Sequence, residues 1–149
     1  MLALAYDPAT NPLNNNEWSF PLLECIHILG FTLSIGTIAI VDLRMLGIAL
    51  LRHSTKDLGK DLAPWTLVGL AVMLISGPLI FSSDPNMYLH NLGFKFKMGA
   101  LLLAILYNYT IHRSVVAADA APPMARAVAV GSLMLWVSVV AGGLFIAFF

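Results

Sequence analysis

The chain has 149 residues, 59% of them apolar and 11% charged, with a formal net charge of zero. Soluble domains carry about half apolar and about a quarter charged residues, so this composition excludes an ordinary soluble globule. The absence of any basic tract removes nucleic acid as a partner, and a single cysteine, Cys25, excludes an intrachain disulfide or a multi-cysteine metal site within one copy.

The first 19 residues hold no Lys or Arg. They therefore lack the basic region of a secretory signal, and the apolar run that follows is expected to be retained as a span. That run predicts a first helix from Phe20 to Leu51. At 1.5 Å per residue it measures about 48 Å, so its last turns should project beyond a hydrocarbon layer of about 30 Å, with Asp42 and Arg44 near the boundary. A charged loop from Arg52 to Pro64 is expected next, containing a turn or cap at Ser54-Thr55-Lys56-Asp57. The second helix is predicted from Trp65 to Phe81, and the third from Phe94 to His112 after a loop from Ser82 to Gly93. The fourth runs from Pro123 to Phe149 after an Ala-Pro loop. The expectation is an all-α integral membrane four-helix bundle in one domain.

Loops one and three and their flanks carry Arg52, Lys56, Lys60, Arg113 and Arg126, against Lys95 and Lys97 on the other side. Positive charge marks the cytoplasmic side, so both termini are expected outside the cytoplasm, in the lipid of a bacterial inner membrane. Trp18 and Trp65 sit where interfacial anchors belong. Small residues at Gly69 and at Gly142-Gly143 offer faces for close helix approach, within one bundle or in a homo-oligomer.

Polar residues inside the spans direct attention to a site. Glu24, His27, Ser34 and Asp42 fall within about 80° of arc on helix one, a polar seam that must face protein, water or a cofactor. Lys97, Leu101, Ala104 and Asn108 share one face of helix three. His27 and Lys97 differ in expected depth by only about 6 Å, a gap that a lysine stem can close. For each there is a plainer reading: an inter-helix hydrogen bond for His27, snorkelling to the interface for Lys97, and a reach to the headgroups for Glu24. His90 lies in the loop just before Lys97. Asp42 and Arg44 read as a boundary segment, Asp42 binding another helix and Arg44 a lipid phosphate, while His53 and His112 read as solvated helix ends. The methionines are scattered, which favours packing over a thioether path for copper.

His27-Ile-Leu-Gly, Gly36, Asp42-Leu43-Arg44, Gly77, Phe81, Phe94-Lys95-Phe96-Lys97 and the closing Tyr-Asn-Tyr-Thr-Ile-His-Arg resemble a family of small bacterial four-span proteins of unassigned function. The likeness is more distantly similar to HemJ-type protoporphyrinogen oxidases and to the membrane domain of CopD copper-resistance proteins, and it covers helices one to three. In the HemJ-type enzymes a histidine early in the first span and a lysine opening a later one are associated with haem, and His27 and Lys97 stand at matching positions. Val41-Asp42-Leu43-Arg44 departs from the aromatic-rich stretch of those enzymes, which weakens the implication of porphyrinogen oxidation more than that of haem binding. The resemblance implies haem b held by His27 with Lys97 or His90 completing the site, and an electron-transfer or oxidoreductase role served by a redox partner protein. A polar transport path through Glu24, His27, Asp42 and Asn108, copper handling among its forms, and a purely structural seam are the rival expectations.

Overall fold

The computed structural model describes residues 6 to 148. Two short 3-10 turns, Pro8–Thr10 and Pro12–Asn14, lead into helix α1, Ser19–Leu46. Helix α2 follows over Thr55–Ser83, then a short α3 over Pro85–His90. The third long helix begins as α4, Leu92–Tyr107, passes through a π-helical turn at Asn108–His112 and ends as α5, Arg113–Ala117. Helix α6, Pro122–Phe145, closes into a 3-10 turn at Ile146–Phe148. Four helical stretches of 28, 29, 26 and 27 residues are long and apolar enough to cross a membrane. At 1.5 Å per residue each measures about 40 Å, more than the hydrocarbon thickness. The exposed surface is rich in Leu, Ile, Val and Phe, as lipid rather than water requires. The protein is a multi-pass, all-α bundle.

Several boundaries differ from the sequence reading. Helix α1 stops at Leu46 rather than Leu51, because Gly47 turns left-handed at φ 78°. Its N–H bonds to the Arg44 carbonyl and that of Ile48 to the Leu43 carbonyl, both at 3.0 Å. This paired closure satisfies carbonyls that a helix end otherwise leaves open. The expected loop Arg52 to Pro64 is largely helix. Ser54 caps it, its Oγ accepting from the Asp57 N–H at 3.0 Å and donating to Asp57 Oδ2 at 2.7 Å. Pro64 and Pro78 both lie within α2, on exposed positions. The loop from Ser82 to Gly93 contains α3, which Asp84 caps and Pro85 opens. The expected last span reaches Phe149, which lies outside the described residues.

Helix α1 lies along α2 and α4 along α6, and α1 joins the two pairs through α6. Small residues set these contacts. A Cβ on Gly69 would come within 2.6 Å of the Gly30 carbonyl oxygen and the Ser34 nitrogen, and one on Gly142 within 3.0 Å of the Lys97 backbone. Both small-residue faces pack helices within the chain, one of the two uses expected for them. Helices α2 and α4 approach less closely and are bridged at their ends. Phe81 stacks on Phe94 with centroids 5.6 Å apart at the α3 end, and α2 meets α5 at the opposite, charged-loop end. Between them one apolar cluster holds Ile38, Leu70, Met73, Leu101, Trp136 and Val139, and a second, nearer the charged loops, holds Val41, Met45, Val115, Val128 and Ala129.

Candidate functional site

Two polar groups interrupt this apolar interior. The first lies at the α3 end. His27 is one turn before Gly30, where α1 presses against α2, so its ring is directed onto Ser76 and Gly77. The ring Nδ1 is 2.8 Å from Ser76 Oγ. Ser76 Oγ is also 2.6 Å from the Val72 carbonyl, which can only accept, so the one hydroxyl hydrogen is committed there. Ser76 Oγ must then accept from His27 Nδ1–H, and in neutral imidazole the lone pair is left on Nε2. A Cβ at Gly77 would lie 3.4 Å from His27 Cε1, so the glycine keeps the space beside the ring clear. Lys97 faces the same region from α4, half-buried against Gly142 and Gly143. Its charge is felt at His27, and that of Glu24 is felt at Lys97. Helices α1 and α2 thus meet at His27 and Ser76, and α4 and α6 meet at Lys97 and Gly142, at the same end of the bundle. His90 stands apart, exposed at the end of α3, its Nδ1 2.7 Å from the Asn86 carbonyl.

Above this group the segment 6–14 is strapped across the bundle. Tyr6 Oη and Asn11 Nδ2 donate to the Ser82 carbonyl at 2.5 and 2.7 Å, and Asn14 Nδ2 donates to that of Ser83 at 3.0 Å. Under the strap lies an open cleft lined by Phe20, Glu24, Asp84, Met87 and Tyr88 among others. Burial pushes the Tyr88 phenol above its ordinary range, so it stays a neutral hydroxyl there.

The second group lies at the charged-loop end. Asp42 is fully buried. Its Oδ1 accepts from His112 Nε2 and its Oδ2 from Ser132 Oγ, each at 2.7 Å. Three helices thus meet on one carboxylate. His112 reaches it through the π-helical turn, in which the Arg113 N–H bonds back five residues to the Asn108 carbonyl. Such a turn in effect inserts one residue and rotates the following face by about 100°. The expectation that His112 is a solvated helix end is corrected: it is 6% exposed and hydrogen-bonded to Asp42. Asp42 does bind another helix, as expected, whereas Arg44 donates from Nε to the His53 carbonyl at 2.6 Å.

The sequence pattern of DUF6644, described as a family of unknown function, matches residues 20–149. The chain belongs to that family. No curated protein and no solved structure matches it. In this DUF6644 protein the matched region takes in all four long helices and both polar groups.

Among the described residues, no three His, Cys, Asp or Glu side chains converge as a set for a bare metal ion. A haem iron asks for less, one or two axial donors and an apolar slot. At the α3 end, His27 and Lys97 are the side chains that could give such donors. His27 presents a bare Nε2 held in orientation by a hydroxyl, the outer support that metal-bound imidazoles commonly have. Gly77 leaves the flank of the His27 ring clear, and Lys97 Nζ lies 3.6 Å from the place a Cβ would take on Gly143. Ser76 completes this group from α2. Its signal was the Ser-Gly-Pro run inside an otherwise apolar helix.

Proposed function

We propose that the protein is a haem b-binding membrane protein with an electron-transfer or oxidoreductase role, and that His27 is an axial ligand. The observation that carries the reading is the contact of His27 Nδ1 with Ser76 Oγ at 2.8 Å, which, with the Ser76 hydrogen given to Val72, assigns the ring hydrogen to Nδ1. The distant similarity of His27 and Lys97 to the haem-associated pair of HemJ-type enzymes supports it. Haem iron, when bound, supplies one-electron redox chemistry. The chain's own contributions are orientation and charge. Ser76 holds the imidazole ring and Gly77 leaves its flank open. Lys97 completes the site as the second axial donor when neutral, or as the partner of a propionate when charged. Between the two candidates for that place, the half-buried Lys97 is favoured over the exposed His90.

The setting is a bacterial inner membrane with both termini outside the cytoplasm, which puts Arg44, Arg52, Lys56, Lys60, Arg113 and Arg126 on the cytoplasmic side. The His27 group then lies in the outer half, where a redox partner protein would exchange electrons. Haem content per chain, measured on protein purified from haem-replete cells, tests the reading. Stoichiometric haem in the native chain and its loss in His27→Ala is the expected result. A native chain without haem overturns it.

A further inference from the structure

The group on Asp42 plays no part in the haem reading. From its geometry we infer that the Asp42–His112–Ser132 cluster is a proton-binding site, and that Nδ1 of His112 is the atom that gains and loses the proton.

The cluster is built rather than incidental. Both carboxylate oxygens of a fully buried aspartate are occupied, one from α6 and one from the π-helical turn of the third long helix. That turn is a departure from α geometry of the kind that recurs at functional sites. Ser132 Oγ spends its hydrogen on Asp42 Oδ2, and His112 Nε2 must carry a hydrogen to donate to Oδ1. Nδ1 of the same ring has no protein partner among the described residues, although the side chain is more than nine-tenths buried. Nδ1 is also not among the sealed polar atoms without a partner in the described residues, such as Ser34 Oγ and Tyr109 Oη. It therefore opens to the residual exposed edge of the ring, at the end of the bundle where the charged loops lie.

Two states share this geometry. With Nδ1 bare, the pair is a carboxylate and a neutral imidazole and carries a net charge of minus one. With Nδ1 protonated, it is a carboxylate and an imidazolium and is net neutral. The Nε2–H···Oδ1 bond is kept in both, so one proton binds or leaves at Nδ1 without breaking the bridge between helices. From α4, Tyr107 is within electrostatic reach of Asp42. Arg44 on α1 is held at the His53 carbonyl, and Arg126 on α6 lies near Gly47. Arg113 on α5 and Lys56, Asp57, Lys60 and Asp61 on α2 are exposed around the same end, cations and anions both present.

The chain has four histidines, so ring-15N-histidine NMR of the full-length protein in detergent can be assigned with single His→Gln variants. Between acidic and alkaline samples of the folded protein, the ring nitrogens should report Nδ1 of His112 with and without its proton while Nε2 keeps its hydrogen. That step should be lost or displaced in Asp42→Asn. If Asp42→Asn fails to fold, Ser132→Ala removes one hydrogen bond to the carboxylate, leaves the pair itself intact and should displace the step. An Nδ1 that holds one state throughout overturns the inference, as does a step that the variant which folds leaves unchanged. The measurement needs no haem, so it stands or fails separately from the reading of His27.

Discussion

A hydroxyl with a single hydrogen decides the chemistry of His27. Because Ser76 gives that hydrogen to the Val72 carbonyl, the imidazole must supply the hydrogen between them, and its other nitrogen keeps the lone pair that the proposed ligation needs. Ser76→Ala removes this constraint while leaving the helix intact. The expected outcome is weaker haem retention, by about 10- to 100-fold in affinity as for other outer supports of metal ligands, read from the rate of haem transfer to an acceptor protein. A transfer rate equal to the native one would show that Ser76 does not orient the ligand. At Asp42 the effect falls on stability instead. Asp42→Ala leaves the hydrogens of His112 and Ser132 without an acceptor in a buried site, and the loss should be about 3–5 kcal/mol in detergent unfolding. Replacing Asp42 and His112 together with leucine should restore much of it, because the desolvation of the pair then disappears as well. The sequence showed the polar seam that contains His27 and Asp42, since a 100° period identifies one face of a helix. It hid the partner of Asp42. Nothing in Asn-Tyr-Thr-Ile-His announces a π turn, and a histidine beside an arginine at a helix end ordinarily faces water.

At the scale of helices, glycines set how the bundle closes. Gly69 has no room for a side chain against the backbone of α1, while Gly36 on α1 has nothing within 4 Å of the place a Cβ would occupy. Gly69→Ala should therefore destabilise by about 1–3 kcal/mol through overpacking, seen as a lower thermal midpoint in detergent. Gly36→Ala should leave the midpoint within error or raise it slightly, through helix propensity. Equal effects at the two positions would contradict the close α1–α2 contact. The existence of four spans was legible because apolar runs near 20 residues have few other meanings. Their ends were less so. Ile48 to Leu51 continue the apolar run past Gly47, so hydropathy carries helix one too far, although a left-handed glycine ends it. The reverse error hides the start of α2. Its first turns carry Lys56, Asp57, Lys60 and Asp61, and only Leu58 and Leu62 face the core, so charge conceals a helix that the Ser54 cap already signals.

For the whole molecule, the two polar groups sit at opposite ends of one bundle, with the Ile38–Met73–Trp136 cluster between them. Four crossings put both termini on one side of the membrane, and the proposed orientation makes that side the outer one. Reporter enzymes fused to the last residue should be active when they function outside the cytoplasm and silent when they require it. The opposite pattern would invert the orientation. The claim on which the functional account turns is that His27 binds haem iron. The most direct test is the absorption spectrum of the detergent-purified protein, oxidised and then reduced with dithionite, beside His27→Ala and Lys97→Ala. The account predicts a Soret band and sharp bands on reduction in the native chain, abolished in His27→Ala and shifted or weakened in Lys97→Ala. A featureless spectrum from haem-replete cells, or one that His27→Ala leaves unchanged, would contradict it.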